Sequence, residues 1–293
     1  MSAGEAPGVN PGSAVQLISC PDKSGIMAET FGFLARHGAN VLQADNFGDP
    51  EQNVFLMRVE WDLQQFDIDM RDFSAHFARL AERFTMQWRV ALSSYRPRMA
   101  IFASRQDHCL ADLLHRHQIG ELSCEVPLVI SNHPEARPLA EFYGVEFRHV
   151  EMDKDNRPQA EAAILELLHA HDVDFIVLAR FMQVLSNGFV DRYPHRIINI
   201  HHSFLPAFVG ARPYHRAFER GVKLVGATAH YVTEDLDEGP IIEQDTVRVS
   251  HRDTLDVLLR KGRDLEKVVL SRAVRWHVEN RILLYGNKTT VFD

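Results

Sequence analysis

The residues best suited to chemistry lie in the run N-I-H-H-S-F-L-P, residues 199–206, where a short apolar segment opens into a loop. Side chains alternate along a strand, so Asn199 and His201 share one face while His202 points to the other. An amide and an imidazole converging on one spot can both donate hydrogen bonds. That pair suits an oxyanion developing on a carbonyl carbon under attack. The His201-His202 doublet raises the question of a metal, but adjacent strand residues cannot easily share one ion, and none is expected. A second run, H-Y-V-T-E-D-L-D-E-G at 230–239, crowds Glu234, Asp235, Asp237 and Glu238 into one turn. Alone it reads as a solvated acidic turn, and it lacks the ligand spacing of a helix-loop-helix calcium site. Folded back on the Asn199/His201 strand, one of its carboxylates would order a water and move its proton, or keep His201 protonated. Spacing does not choose which acid.

The elements that must position these groups follow from patterning. Residues 100–103, 126–130, 146–150 and 175–178 are short, apolar and rich in β-branched side chains, with helical stretches at 109–116, 138–143 and 159–171 between them. Such alternation predicts a doubly wound, mostly parallel sheet. A further strand is expected at 197–200, which puts Asn199 and His201 at the carboxyl edge where open α/β sheets bind ligands. A loop rich in Pro and Gly runs to Pro213. Strands at 224–232 and 241–249, a long helix at 253–280 and a strand-like piece at 282–291 complete the unit.

Residues 14–94 read differently. A strand at 14–20, a helix at 26–37, strands at 40–47 and 54–61, a helix at 70–84 and a strand at 87–92 give the order βαββαβ, a ferredoxin-like arrangement with both helices on one face of an antiparallel sheet. Asp22 or Ser24 is placed to cap the first helix and Gly38 to end it. Gly48-Asp49-Pro50 is the expected turn between the middle strands. The domains expected are therefore a disordered Gly/Pro/Ala-rich tail at 1–13, a first unit at 14–95 closing its own sheet, and a second at 96–293.

Bulk properties set limits. The net charge of −8, from 32 Lys and Arg against 40 Asp and Glu, argues against a nucleic-acid surface or a polybasic membrane anchor. No run approaches the ~18 apolar residues needed to cross a bilayer, and the first residues lack the basic and apolar regions of a signal peptide. Cys20, Cys109 and Cys124 are odd in number and widely spaced, giving neither a disulfide framework nor a zinc knuckle. A cytoplasmic protein is expected.

Three segments with their gaps, F-I-V-L-A-R-F-M-Q-V-L-S, N-I-H-H-S-F-L-P and G-A-T-A-H-Y-V-T-E-D-L-D-E-G-P-I-I, resemble the catalytic domain of the folate-dependent formyltransferases. The resemblance implies that Asn199, His201 and Asp237 form the catalytic trio. It implies that backbone groups after the Phe-Met pair, in the segment Met182, Gln183, Val184 and Leu185, hold the pterin edge, and that no metal or cofactor takes part. Members that use a nucleotide acceptor carry a Gly/Ser-rich phosphate loop after the first strand. Here that position reads Ser104-Arg105-Gln106-Asp107-His108-Cys109, without glycine and with an anion-repelling Asp107. With N-I-H-H in place of N-I-H-P, the chain is similar over nearly its whole length to the formyltetrahydrofolate deformylases.

That similarity implies hydrolysis of 10-formyltetrahydrofolate by water to formate and tetrahydrofolate, supplying formate for purine synthesis and balancing the one-carbon folate pool. The first unit, with P-D-K-S-G after its first strand, resembles an ACT domain. This implies a homo-oligomer and a regulatory amino-acid site at Asp22, Lys23, Ser24 and Gly25 for an effector such as glycine or methionine. Two rivals stand beside this reading: formyl transfer to an amine, and a catalytically silent amino-acid sensor.

Overall fold

The computed structural model describes residues 12–206 and 213–293. The expected tail at 1–13 lies mostly outside the described residues, as does most of the loop before Pro213. The chain divides into two compact units. The first comprises the described residues to Tyr95 with Asn280–Gly286 and Thr290–Asp293; the second comprises Arg96–Glu279 with Asn287–Thr289.

In the first unit β1 (Ser13–Pro21), α1 (Ile26–Arg36), β2 (Asn40–Asp49), β3 (Val54–Asp62), α2 (Phe73–Phe84) and β4 (Gln87–Leu92) form an antiparallel sheet of order β2-β3-β1-β4. Alternation decides what each face buries. Ala14, Ile18 and Cys20 of β1 and Met57, Val59 and Trp61 of β3 meet Ile26, Phe33 and Leu34 of α1 and Phe73 and Phe77 of α2. Two details depart from the sequence pattern. Gly25, at φ 95°, is the N-cap of α1 and no side chain caps the helix, so the capping role expected of Asp22 or Ser24 is not realised. Strand β2 continues through Gly48 and Asp49, because Asp49 Oδ1 accepts the Glu51 and Gln52 N–H groups at 3.0 Å and shifts the turn onto residues 50–53. Gly38 does end α1, with φ 73°.

The opposite face of this sheet explains the most substantial correction. Leu17 and Leu56 point away from the helices, and apolar side chains there need a cover. The strand-like piece expected at 282–291 is instead two strands, β12 (Ile282–Tyr285) and β13 (Lys288–Val291), and Leu283 and Phe292 bury against Leu17 and Leu56. The first unit thus does not close on residues 14–94 alone.

The second unit holds β5 (Arg98–Ala103), α3 (His108–Gln118), β6 (Glu125–Ser131), α4 (Arg137–Phe142), β7 (Glu146–His149), α5 (Arg157–Ala170), β8 (Phe175–Ala179), α6 (Asn187–Val190), β9 (Ile197–His201), α7 (Pro213–Arg220), β10 (Leu224–Tyr231), β11 (Ile241–Arg248) and α8 (Leu255–Val278). Its sheet runs β11-β10-β9-β8-β5-β6-β7. Strands β9, β8, β5, β6 and β7 are mutually parallel, while β10 is antiparallel to both β9 and β11. The chain winds outward from β5 to β7, then returns to place β8 on the other side of β5. That reversal is the switch point at which α/β sheets open a crevice. Helices α6 and α7 were not legible in the pattern, α6 for being a single turn capped by Ser186. Helix α8 begins at Thr254, whose hydroxyl accepts the Val257 N–H. Among the described residues no helix is long and apolar enough to cross a membrane.

Candidate active site

A cavity of about 580 Å³ opens at the carboxyl ends of β8 and β9, within the usual range for small-molecule sites. Asn199, His201 and Asp237 all line it. Strand β9 supplies the first two from one face, and the loop between β10 and β11 folds back to bring Asp237 Oδ1 to 3.2 Å from His201 Nδ1. Of the four acids in that loop, Glu234, Asp235 and Glu238 are exposed and Asp237 alone turns inward. Its backbone sits at φ 60°, a left-handed conformation uncommon outside glycine and a mark of a constrained site. The His201 hydrogen bond holds the Asp237 carboxyl below its ordinary value, against the opposing effect of burial. Asp237 is therefore ionised at neutral pH. His201 Nε2 is buried and has no hydrogen-bond partner.

Close approach keeps this loop in place. A Cβ on Gly239 would fall 1.8 Å from the Tyr231 carbonyl oxygen, and Asn287 Nδ2 donates to the Glu238 carbonyl at 2.8 Å. Gly239→Ala should therefore push Asp237 away from His201. Misplacement by about 1 Å costs on the order of 10²-fold in rate, and a steady-state kcat equal to wild type would show that the loop adapts.

His230 was quoted in the sequence motif but given no role there. It is paired across the strands with Asn199, and its Nε2 lies 3.2 Å from Asn199 Nδ2 while its Nδ1 donates to the Tyr231 carbonyl at 2.9 Å. With Nδ1 carrying the proton, Nε2 is an acceptor, so the Asn199 amide nitrogen faces it and the amide orientation is set. Burial pushes the His230 pKa down, in keeping with a neutral ring. Sequence reasoning lacked the β9/β10 register, the only signal that could have found it.

Met182, Gln183, Val184 and Leu185 also line the cavity, on the segment leaving β8. The Met182 N–H is already taken by Ser104 Oγ at 3.2 Å, which anchors the segment. Asp22, Lys23, Ser24 and Gly25 lie in the first unit on the exposed turn between β1 and α1; they take no part in this cavity.

A buried ionic cluster beside the cavity escaped the sequence reading. Glu266 on α8, 1% exposed, accepts Tyr214 Oη at 2.9 Å and faces His108 Nε2 at 2.7 Å, and Arg180 Nε lies 3.4 Å away. Burial pushes the Glu266 carboxyl up, but His108 and Arg180 outweigh it and hold the group below its ordinary value. The ring of Tyr214 reaches Glu266 because Gly262, one turn earlier on α8, has no side chain; a Cβ there would lie 2.3 Å from Tyr214 Cζ. One signal was available: a carboxylate on the apolar stripe Leu258, Leu265, Val269, Ala273 of a helix. Ligand atoms of His108, Cys109 and Glu266 lie within 4.8 Å of one another. The set fits a metal ion poorly, since both Glu266 oxygens are engaged, Arg180 already supplies positive charge, and burial pushes the Cys109 thiol well up.

A cleft at the switch point of a seven-stranded sheet, with Asn, His and Asp at its base, defines the class. Residues 97–274 match the family described as formyl transferase. Glycinamide ribonucleotide transformylase 1 from Symbiobacterium toebii, with 33% identity and a TM-score of 0.64, covers 68% of this chain and 96% of its own. The match to deformylases extends over both units. The formyltetrahydrofolate deformylase of Synechocystis sp. is 51% identical over 96% of this chain and 98% of its own length. A crystal structure of the formyltetrahydrofolate deformylase from Pseudomonas syringae pv. tomato has a TM-score of 0.93 and 47% identity, covering 96% of this chain and 94% of that one. The chain belongs to the formyltetrahydrofolate deformylase family.

Proposed function

We propose that this protein hydrolyses 10-formyltetrahydrofolate to formate and tetrahydrofolate, with Asn199, His201 and Asp237 as its catalytic residues. One observation carries the assignment of roles. His201 is held through Nδ1 by an ionised Asp237 while its buried Nε2 is left without a partner beside Asn199. The formyl carbonyl lies between Asn199 and His201. Asp237 takes a proton from a water as the water oxygen bonds to the formyl carbon, and the carbonyl electron pair moves onto oxygen. The Asn199 amide N–H and, in its protonated form, His201 Nε2–H hold that oxyanion. Collapse breaks the C–N10 bond as N10 takes a proton from water or protonated His201, and the formic acid released gives up its own proton to solvent and leaves as formate. Backbone groups of Gln183, Val184 and Leu185 hold the pterin edge, and no metal or cofactor is required.

The first unit is read as a regulatory ACT-type domain, with Asp22, Lys23, Ser24 and Gly25 as the site for a small amino acid. The exposed turn at the N-terminus of α1 supports this, since helix N-termini favour carboxylates. Homo-oligomerisation is supported by Val41, Leu42 and Phe47, apolar side chains exposed along edge strand β2, an edge that pairing with another copy would cover. The three free cysteines, all buried, suit a reducing cytoplasm, where the formate would serve purine synthesis. The test is formate release from 10-formyltetrahydrofolate by the full chain with no added acceptor, with and without glycine or methionine. Stoichiometric formate is expected. Loss of the formyl group only on addition of an amine would favour transfer, and no loss at all would favour the silent sensor.

A further inference from the structure

Arg180 ends the strand β8 segment in an unusual state. It is 8% exposed, its backbone is left-handed at φ 62°, and it lines the same cavity as His201. Such strain persists only where surrounding contacts over-determine it. Its backbone N–H donates to the Leu178 carbonyl at 3.1 Å, and its side-chain contacts act through one nitrogen. Arg180 Nε donates to Gln106 Oε1 at 3.0 Å and lies 3.4 Å from Glu266 Oε2. The two Nη nitrogens make none of the hydrogen bonds found among the described residues, and Arg180 lines the cleft. A guanidinium held at Nε, with no hydrogen bond from either Nη among the described residues, can take a planar two-oxygen anion through its fork.

His202 lies beside it on the cavity wall, its ring 5.2 Å from that of His201 and 6.3 Å from that of Tyr214. Burial, then the Arg180 charge, push its pKa down to about 3, so it is a neutral hydrogen-bonding group that adds no second charge. Glu266 balances Arg180 at its Nε, which lets the cation stay buried with no anion bound.

We propose that the Arg180 fork and His202 form a subsite for a small monocarboxylate, and that its natural occupant is the formate cleaved at His201. The subsite rests on the hydrolytic reading above for the identity of that occupant. It gives the new anion a place to move away from the ionised Asp237, which would otherwise repel it. It also explains why the position after β5 can do without a glycine-rich anion loop: the anion to be held has three heavy atoms and is held by a side chain.

The test uses the full chain and sodium formate, with sodium chloride at equal ionic strength as control. Line broadening of ¹³C-formate without folate measures binding, and inhibition of hydrolysis measures it during turnover. A three-atom ligand limits the expected affinity to about the millimolar range. Saturable, formate-specific binding in that range is expected. Arg180→Lys keeps the charge beside Glu266 but loses the fork, and should weaken formate binding tenfold or more while the protein still melts cooperatively. Absence of a formate effect over chloride in the wild type overturns the subsite whatever the variant does, and so does undiminished binding in a folded Arg180→Lys. If no formate is released from 10-formyltetrahydrofolate, the reaction assignment fails separately, and the NMR titration still decides whether the site exists.

Discussion

Asp237→Asn should lower kcat by on the order of 10²–10⁴-fold, the usual worth of one positioned acid-base group, with little change in KM for 10-formyltetrahydrofolate. Asparagine is chosen because residue 237 has φ 60°, a conformation it tolerates better than other non-glycine residues. The amide keeps the length and shape of the carboxylate, so a side chain still stands 3.2 Å from His201 Nδ1, but it cannot accept a proton from water. Substrate affinity should survive, because the groups assigned to the pterin belong to the backbone after Met182. A fall in kcat with KM unchanged is the signature of an interaction made only in the transition state. Near-normal turnover would move the proton-accepting role elsewhere, with Asp235, also on the cavity wall, next to examine.

The largest effect on stability is expected at Glu266. Its carboxylate is 1% exposed and is met by His108, Tyr214 and Arg180. Glu266→Ala leaves a buried guanidinium without its counter-charge and a tyrosine hydroxyl without its acceptor. Removing one partner of a buried pair costs about 3–5 kcal/mol, so Tm should fall by roughly 10 °C. A circular-dichroism melt within about 2 °C of wild type would mean that water enters and solvates Arg180.

What the sequence made legible, and what it hid, follows from the range of each interaction. Strand β9 and its alternation could be read because a run such as I-I-N-I-H carries its own period. The inward turn of Asp237 could not, since it depends on Gly239 meeting Tyr231 and on Asn287 reaching Glu238 from 49 positions along the chain. His230 and Asn199 likewise meet through a register between β9 and β10 that no local pattern specifies. Capping by Asp22 or Ser24 was a sound local expectation overtaken by Gly25, whose left-handed backbone carries the chain into α1 by another route. Arg180 and Glu266 are each a charge within a locally apolar run, but they lie far apart in the second unit and only the fold joins them.

The cover that Leu283 and Phe292 place over Leu17 and Leu56 has a consequence for synthesis. A ribosome delivers residues 13–92, with every strand of the first sheet, long before it delivers residues 282–292. During that interval one face of a nascent sheet carries uncovered leucines while nearly two hundred further residues emerge and form their own core. Contacts this distant in sequence are slow to form and leave apolar surface open to aggregation in the meantime. The N-terminal unit is thus first to be translated and last to be finished. Pulse-labelled hydrogen exchange on refolding chains should find protection in β8 and β9 before β1.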